Sequence, residues 1–477
     1  MTSQTPAHPE TTTEGFVEVA EMPCTPDRAV VYEHGWQSWS PAGVHRATAT
    51  SPRPARPRWQ TMAYRPETPA PDHGMQGEGL LVVQPDPDGP STIIATDDPH
   101  RRMPSIRATV DGDRIRVTAN GEVAITEHDG DIPSALAAWG DALGRQLDVR
   151  IRPQAPGWCS WYCHGPHVTD ADVVTAVDAA VAADLPIDVV QVDDGYQADI
   201  GDWLDRNTAA FPRPLSALTA RIADAGMGAG LWTAPFCVGA NSALARQHPD
   251  WLVGGALASD EHWGQPIRVL DVTHPDAAEH LVELFSTLRS WGFDYHKIDF
   301  VYAGALPGRR HADIAPLDAY GEGLRLIREA IGPDATLLGC GAPLLPSVGR
   351  VDAMRISPDI DPVWEPPLGD VSQPSMQGAL QAGRARAWQH GRLWINDPDC
   401  VLVREEVGRR EEWAGYLDVL DGLAVSSDHL DRLDARGLEV TRHLLRTSDG
   451  TPAPTWQPDV DDADAGRLRG EPAGAVA

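Results

Sequence analysis

Between residues 157 and 428 the chain repeats one pattern, a short apolar run followed by a helical or turn-rich stretch. The runs are GWCSWY (157–162), IDVVQVDDG (187–195), GAGLWTAPF (228–236), YHKIDFVY (295–302), TLLGCGAP (336–343), DAMRISPD (352–359), RLWINDPD (392–399) and LAVSSD (423–428). Helices are predicted over 170–184, 214–225, 275–291, 315–331, 375–388 and 405–421. Only the crossover from TLLGCGAP to DAMRISPD is too short for a full helix. Eight strands alternating with helices over 151–432 predict a (β/α)₈ TIM barrel. A doubly wound open sheet would carry a Gly-rich phosphate turn after its first strand, and GWCSWYCHGPH is not one.

The rhythm before residue 151 is different. Over 27–150 the runs AVVYEHG, EGLLVVQP, STIIATDD, RIRVTAN and EVAITEH are short and separated by turns such as Asp-Gly (111–112) and Asn-Gly (120–121). That spacing predicts an antiparallel β-sandwich, with a Pro/Arg-rich loop over 52–72. Residues 1–26, rich in Thr, Pro and Glu, are expected to be disordered. After 432 one more helical segment is followed by an acidic tail expected to be disordered as well, so 433–477 reads as a short C-terminal segment.

Composition narrows the function. With 39 Lys+Arg against 69 Asp+Glu, the net charge is −30, which argues against nucleic acid and anionic membranes as partners. The N-terminus lacks the basic start and apolar run of a secretory peptide, and no stretch is long and apolar enough for a transmembrane helix. The six cysteines do not make a disulfide scaffold, so the expected location is cytoplasmic with reduced thiols. Within the basic residues one detail stands out: Lys297 is the only lysine.

In a TIM barrel the working residues lie at the C-terminal strand ends. Those ends supply Trp161, Asp193, Asp194, Trp232, Lys297, Asp299, Cys340, Arg355, Asp359, Asn396, Asp397, Asp399 and Asp428. Carboxylates and tryptophans dominate, which suits acid/base or nucleophilic work on a sugar more than phosphate chemistry. Lys297 and Asp299 are two apart on a strand and share a face. The neighbouring ammonium favours an ionised carboxylate, as a nucleophile requires. The rival reading is a buried pair that only closes the barrel, but a lineage that otherwise writes arginine keeps lysine here. Asp359, two strands on, can lean toward Asp299, and Asp361 has the same parity and competes with it. Asp193-Asp194 could grip sugar hydroxyls, bind a metal or cap a helix. The Cys159/Cys163/His164/His167 cluster matches no standard zinc spacing, so no metal is expected.

Several of these stretches resemble the family 36 glycoside hydrolases, the compact bacterial α-galactosidases above all. They are HKIDFVYAGALPG (296–308), LLGCGAPLLPSVGRVDAMRISPDIDPVW (337–364) and LWINDPDCVLVREE (393–406), with VDDGYQ (192–197), GWCSWY, GLWTAPF and HGWQSWS (34–40). The resemblance implies a β-sandwich, a (β/α)₈ barrel and a C-terminal β domain, no metal or other cofactor, and cleavage of terminal α-galactosides with retention. It implies Asp299 as nucleophile and Asp359, not Asp361, as acid/base. Asp193, Asp194, Lys297, Arg355, Trp161, Trp232 and Cys340 would bind the sugar, covered by an aromatic of the sandwich loop, Trp36 or Trp39. The expected partner is an α-galactoside oligosaccharide such as melibiose or raffinose, with further copies of the chain left open. Rivals are an α-N-acetylgalactosaminidase, a galactosyl-transferring relative, or a catalytically silent sugar-binding relative. Two departures are expected to matter. Asp361 replaces a small residue and would raise the pKa of the acid/base. The C-terminal β domain would be truncated or absent, given how little chain follows the last strand.

Overall fold

The computed structural model describes residues 15–51, 60–65, 67–68 and 71–452, and the backbone of 456–457 and 467–468. Its first part contains β1 (Val17–Pro23), β2 (Val30–Glu33), β3 (Gly43–Arg46), α1 (Gln60–Ala63), β4 (Met75–Glu78), β5 (Leu80–Gln84), β6 (Ser91–Ala95), β7 (Ser105–Asp111), β8 (Arg114–Ala119), β9 (Ala124–His128) and α2 (Ile132–Gln146). Two antiparallel sheets form, ordered β1-β8-β7-β4 and β3-β2-β5-β6-β9. Asp111 pairs with Arg114 across the β7–β8 hairpin, so the loop is Gly112-Asp113, one position on from the predicted Asp-Gly turn. Residues 17–23 correct the expectation of a disordered N-terminus: β1 lies against β8, with Met22 opposite Ile115. Composition missed it because only its inward side chains are apolar. Residues 1–14, most of the 52–72 loop and most of the acidic tail lie outside the described residues.

Strand parity explains how this unit serves the rest. Val31, Leu81, Val83 and Ile94 point into a core shared with Met75, Ile106, Ile115 and Val117 of the other sheet. Their neighbours Val30, Tyr32, Leu80, Val82 and Ile93 point the opposite way, into the core that contains α2 and the parallel sheet. The five-stranded sheet is thus apolar on both faces. One face closes the sandwich and the other seats it on its neighbour.

The second part contains β10 (Gly157–Cys159), α3 (Trp161–His164), α4 (Asp170–Ala182), β11 (Val189–Val192), α5 (Leu215–Asp224), β12 (Gly228–Thr233), β13 (Cys237–Gly239), α6 (Ala243–Gln247), β14 (Ile267–Val269), α7 (Pro275–Ser290) and β15 (Phe293–Ile298). It continues with α8 (Pro316–Ile331), β16 (Thr336–Gly339), β17 (Ala353–Arg355), α9 (Met376–Ala385), β18 (Ile395–Asp397), α10 (Arg410–Leu420), β19 (Val425–Ser426) and α11 (Ala435–Leu444). Eight strands make one curled parallel sheet of TIM-barrel type, ordered β18-β17-β16-β15-β12-β11-β10-β19. At the seam between β18 and β19, a parallel bridge joins Val401 to Ser426. The short crossover holds only a 3₁₀ turn, Leu345–Ser347, as its length dictates. Helix starts follow local chemistry: Thr169 and Asp172 form a reciprocal capping box at α4. A two-residue strand pair, β20 (Trp456–Gln457) with β21 (Arg467–Leu468), follows α11. No helix among the described residues is long and apolar enough to cross a membrane.

Candidate active site

The C-terminal ends of the parallel strands open into a cavity of about 360 Å³. Of the residues predicted from sequence, Trp161, Asp193, Asp194, Trp232, Lys297, Asp299, Arg355 and Asp359 line it. Its floor is an ionic lattice built by strand register, in which Trp232 lies opposite Lys297 on neighbouring strands. Lys297 Nζ donates to Asp193 Oδ2 at 2.9 Å and lies 4.0 Å from Asp299 Oδ2. Asp193 Oδ2 also accepts from Gln191 at 2.7 Å and from the Cys159 thiol at 3.4 Å. Burial alone would lower the Lys297 pKa, but the neighbouring carboxylates, Asp193 first and then Asp299, outweigh it. The ammonium is held well above the ordinary lysine range.

Asp299 sits one residue past β15, where its backbone N–H still donates to Thr233. Its Oδ2 accepts from Trp232 Nε1 at 3.0 Å and its Oδ1 from the Phe300 N–H at 2.7 Å. Phe300 adopts a left-handed φ of 51°, a strained conformation for a bulky side chain. Both carboxylate oxygens are therefore held by donors, and an ammonium stands close by. Those bonds hold the carboxylate in one orientation.

Asp359 is placed differently. Its carboxyl takes one bond, from Arg355 Nη1 at 2.8 Å. Burial pushes its pKa up to about 7; Arg355 pulls down, and the charges of Asp399 and Asp299 add to the rise. Arg355 also holds Asp397 through Nε at 3.0 Å and Asp399 through Nη1 at 3.0 Å. Asp399 in turn accepts from the Tyr162 hydroxyl at 2.6 Å and the Ile360 N–H at 2.9 Å. The cavity thus holds one carboxylate pinned at both oxygens and one whose pKa is raised to about 7.

Three expectations are corrected in detail. Asp361 does not line the cavity; it accepts from the Val363 N–H at 3.1 Å. Strand β17 ends at Arg355, so the period-2 parity that made Asp361 a rival no longer applies beyond it. The carboxylates that raise Asp359 are Asp399 and Asp299 instead. Trp36 is buried beneath the Arg65 guanidinium, 5.6 Å from its ring, and does not reach the cavity. Trp39 does, edge-on to Phe300 at 4.8 Å. Cys340 is fully buried beneath the lining, with its thiol pushed well up by burial. The cysteine–histidine cluster disperses: Cys163 turns to backbone carbonyls and His164 packs on His429.

The loop that carries Trp39 is held by residues that follow β16 and end α9. Its indole packs on Gly341, where φ is +50° and a Cβ would come within 2.8 Å of the ring, so only glycine fits. Ser38 N–H donates to the Ala342 carbonyl at 3.1 Å. Arg386, without solvent exposure, donates to the carbonyls of Ser40 at 2.7 Å, Ser38 at 2.8 Å and Gln37 at 3.4 Å. It also reaches Ile356 at 2.8 Å, next to Arg355. Burial lowers its pKa to about 10, which leaves it charged at neutral pH.

Some lining residues carry no signal in the sequence. His262 and Trp263 come from the excursion through β13 and β14 between β12 and α7, and Trp263 Nε1 donates to Asp194 Oδ2 at 2.7 Å. Burial keeps the His262 pKa low against the pull of Asp299. Tyr162, Phe300 and Ser372–Pro374 complete much of the wall.

The chain that carries this cavity is similar to known proteins. Residues 160–311 match the Melibiase family model. An α-galactosidase of Thermus thermophilus, solved in complex with p-nitrophenyl α-D-galactopyranoside, is 28% identical with a TM-score of 0.75 over 92% of this chain and 91% of its own. The chain is similar to the family 36 α-galactosidases. The α-galactosidase AgaA of Geobacillus stearothermophilus is 30% identical over 152 residues, 29% of this chain and 20% of its own length. Its solved structure is similar in fold, at 15% identity, with a TM-score of 0.62 over 90% of this chain and 62% of its own. An A type blood α-D-galactosamine galactosaminidase of Flavonifractor plautii is 29% identical over 211 residues, 38% of this chain and 18% of its own length. The aligned stretch thus spans a fifth or less of these two curated relatives.

Proposed function

We propose that the chain is an exo-acting α-galactosidase that hydrolyses terminal α-D-galactosyl residues with retention. The observation that carries this reading is the pairing of Asp299, doubly hydrogen-bonded beside Lys297, with Asp359, whose carboxyl is raised to about 7, in one cavity. Asp299 attacks the anomeric carbon while Asp359 protonates the leaving oxygen. Water then enters, deprotonated by Asp359, and hydrolyses the galactosyl–Asp299 ester. Asp193, Asp194 and Lys297 take the sugar hydroxyls, and the indoles of Trp161, Trp232 and Trp39 offer faces to the apolar side of the ring.

The test is a panel of aryl glycosides, α- and β-galactoside, α-glucoside and α-N-acetylgalactosaminide, with the first product read by NMR. The α-galactoside should be cleaved fastest and release α-galactose first; release of β-galactose would overturn retention. Asp299→Asn should lower kcat by at least about 10³-fold. Because the free enzyme's acid must be protonated, kcat/KM should fall as pH rises through about 7.

A further inference from the structure

The floor of the cavity and one of its walls are unlike. On the floor, Asp193, Asp194, Trp232, Lys297 and Asp299 rise directly from β11, β12 and β15, or just beyond them, and their polar groups are already cross-linked. The wall belongs to the loop that runs from Asp359 to α9. It returns to its starting point, where the Ser375 N–H donates to the Asp359 carbonyl at 3.0 Å. Ser375 then caps α9 through the Gly378 N–H at 3.0 Å, so the helix anchors the loop. Ser372, Gln373 and Pro374 are the three loop residues before that anchor, and all three line the cavity.

The loop is internally braced. Asp370 accepts from both the Ser372 hydroxyl, at 2.6 Å, and its N–H, at 3.1 Å. The Gln373 N–H donates to the Asp370 carbonyl at 2.9 Å, and the Gln373 amide nitrogen donates to the Ser372 oxygen at 3.3 Å. The Ser372 proton and one of its two lone pairs are thereby committed within the protein. The Gln373 amide oxygen takes no hydrogen bond from the described residues, and one of its amide protons is free. Gln373, whose amide keeps an open acceptor and an open donor, thus lines the cavity beside Pro374.

The position of this amide has a chemical meaning. A general acid stands within hydrogen-bond reach of the leaving oxygen, so the group attached to that oxygen departs along the wall that carries the acid. That wall leads from Asp359 to Gln373. We propose that Ser372, Gln373 and Pro374 form a leaving-group subsite that selects a hydroxylated sugar, with Gln373 the residue that determines the selection. The amide reads sugar hydroxyls as both donor and acceptor, and the proline ring meets a C–H face. An aryl leaving group offers it no such hydroxyl pattern. The inference rests on the α-galactosidase reading and deepens it.

The test compares Gln373→Ala and Gln373→Asn with the parent chain on two substrates that share the galactosyl group. Raffinose carries a sugar leaving group and p-nitrophenyl α-D-galactopyranoside an aryl one. The ratio of kcat/KM for raffinose over the aryl substrate should fall about 3–10-fold in Gln373→Ala, the size of one neutral hydrogen bond. Gln373→Asn, with the same amide one methylene shorter, should lie between. Equal losses on both substrates, or an unchanged ratio, would overturn the proposal. A parent chain inactive on both overturns the galactosidase reading itself and the subsite with it, a result distinct from an altered ratio.

Discussion

Two arginines are buried at this site, and they do opposite work. Arg355 forms the back of the cavity, where three carboxylates, Asp359, Asp397 and Asp399, meet one guanidinium. Arg386 lies under the sandwich loop, where four backbone carbonyls and no carboxylate meet it. The first is raised well above its ordinary pKa by its acidic neighbours, and the second is lowered by burial. A guanidinium tied to titrating groups sets proton affinity. One tied to carbonyls sets position, because its planar fork can hold several acceptors at fixed angles. The floor of the cavity is therefore governed by charge, and the roof by a strap.

Substitutions can break this contrast. The largest effect is expected at Arg355→Met, which leaves three carboxylates without their counter-ion. It should cost about 3–5 kcal/mol of stability and at least about 100-fold in kcat/KM. Because Arg355 lowers the Asp359 pKa, its loss should also move the alkaline limb of the pH–rate profile to higher pH. Arg386→Met removes donors from four buried carbonyls and should lower stability by about 2–5 kcal/mol in denaturant titrations. Its KM should rise, yet the alkaline limb should stay in place. A shifted limb would erase the distinction between strap and charge. Trp39→Ala should raise KM by roughly tenfold with kcat changed only a few-fold, the loss of one aromatic contact. The smallest effect belongs to Asp361→Ala, whose pH–rate profile should overlay that of the parent chain.

How much of this was legible depended on whether a residue stood on a regular element. Lys297 lies on β15, so the period-2 rule found its face, and the strand's direction carried Asp299 to the same mouth. Asp193 and Arg355 were found because they stand at the ends of apolar runs, just past β11 and at the end of β17. The rule failed one step later, at Asp361, because the strand had already ended. It had no purchase on HGWQSWS, where the loop and not a strand decides that Trp39 faces the cavity and Trp36 does not. His262 and Trp263 were invisible for a related reason. They reach the cavity through tertiary contacts of a long excursion, and Trp263 does so at a left-handed φ of 54° that no pattern signals. The resemblance to known enzymes supplied roles, but it named Trp36 and Trp39 alike and placed Cys340 in the lining rather than beneath it.

The solitary lysine has one last consequence, for the bench rather than for the reaction. A lysine-specific protease has a single peptide bond to cut in the whole chain, the one after Lys297, and the side chain it must grasp is 8% exposed at the bottom of a braced pocket. The folded protein should stay intact in its presence, and any opening of the floor should appear as two fragments that meet between residues 297 and 298. Digestion rate becomes a gauge of how often β15 opens, locally or with the whole fold, and a sugar bound in the cavity should slow it.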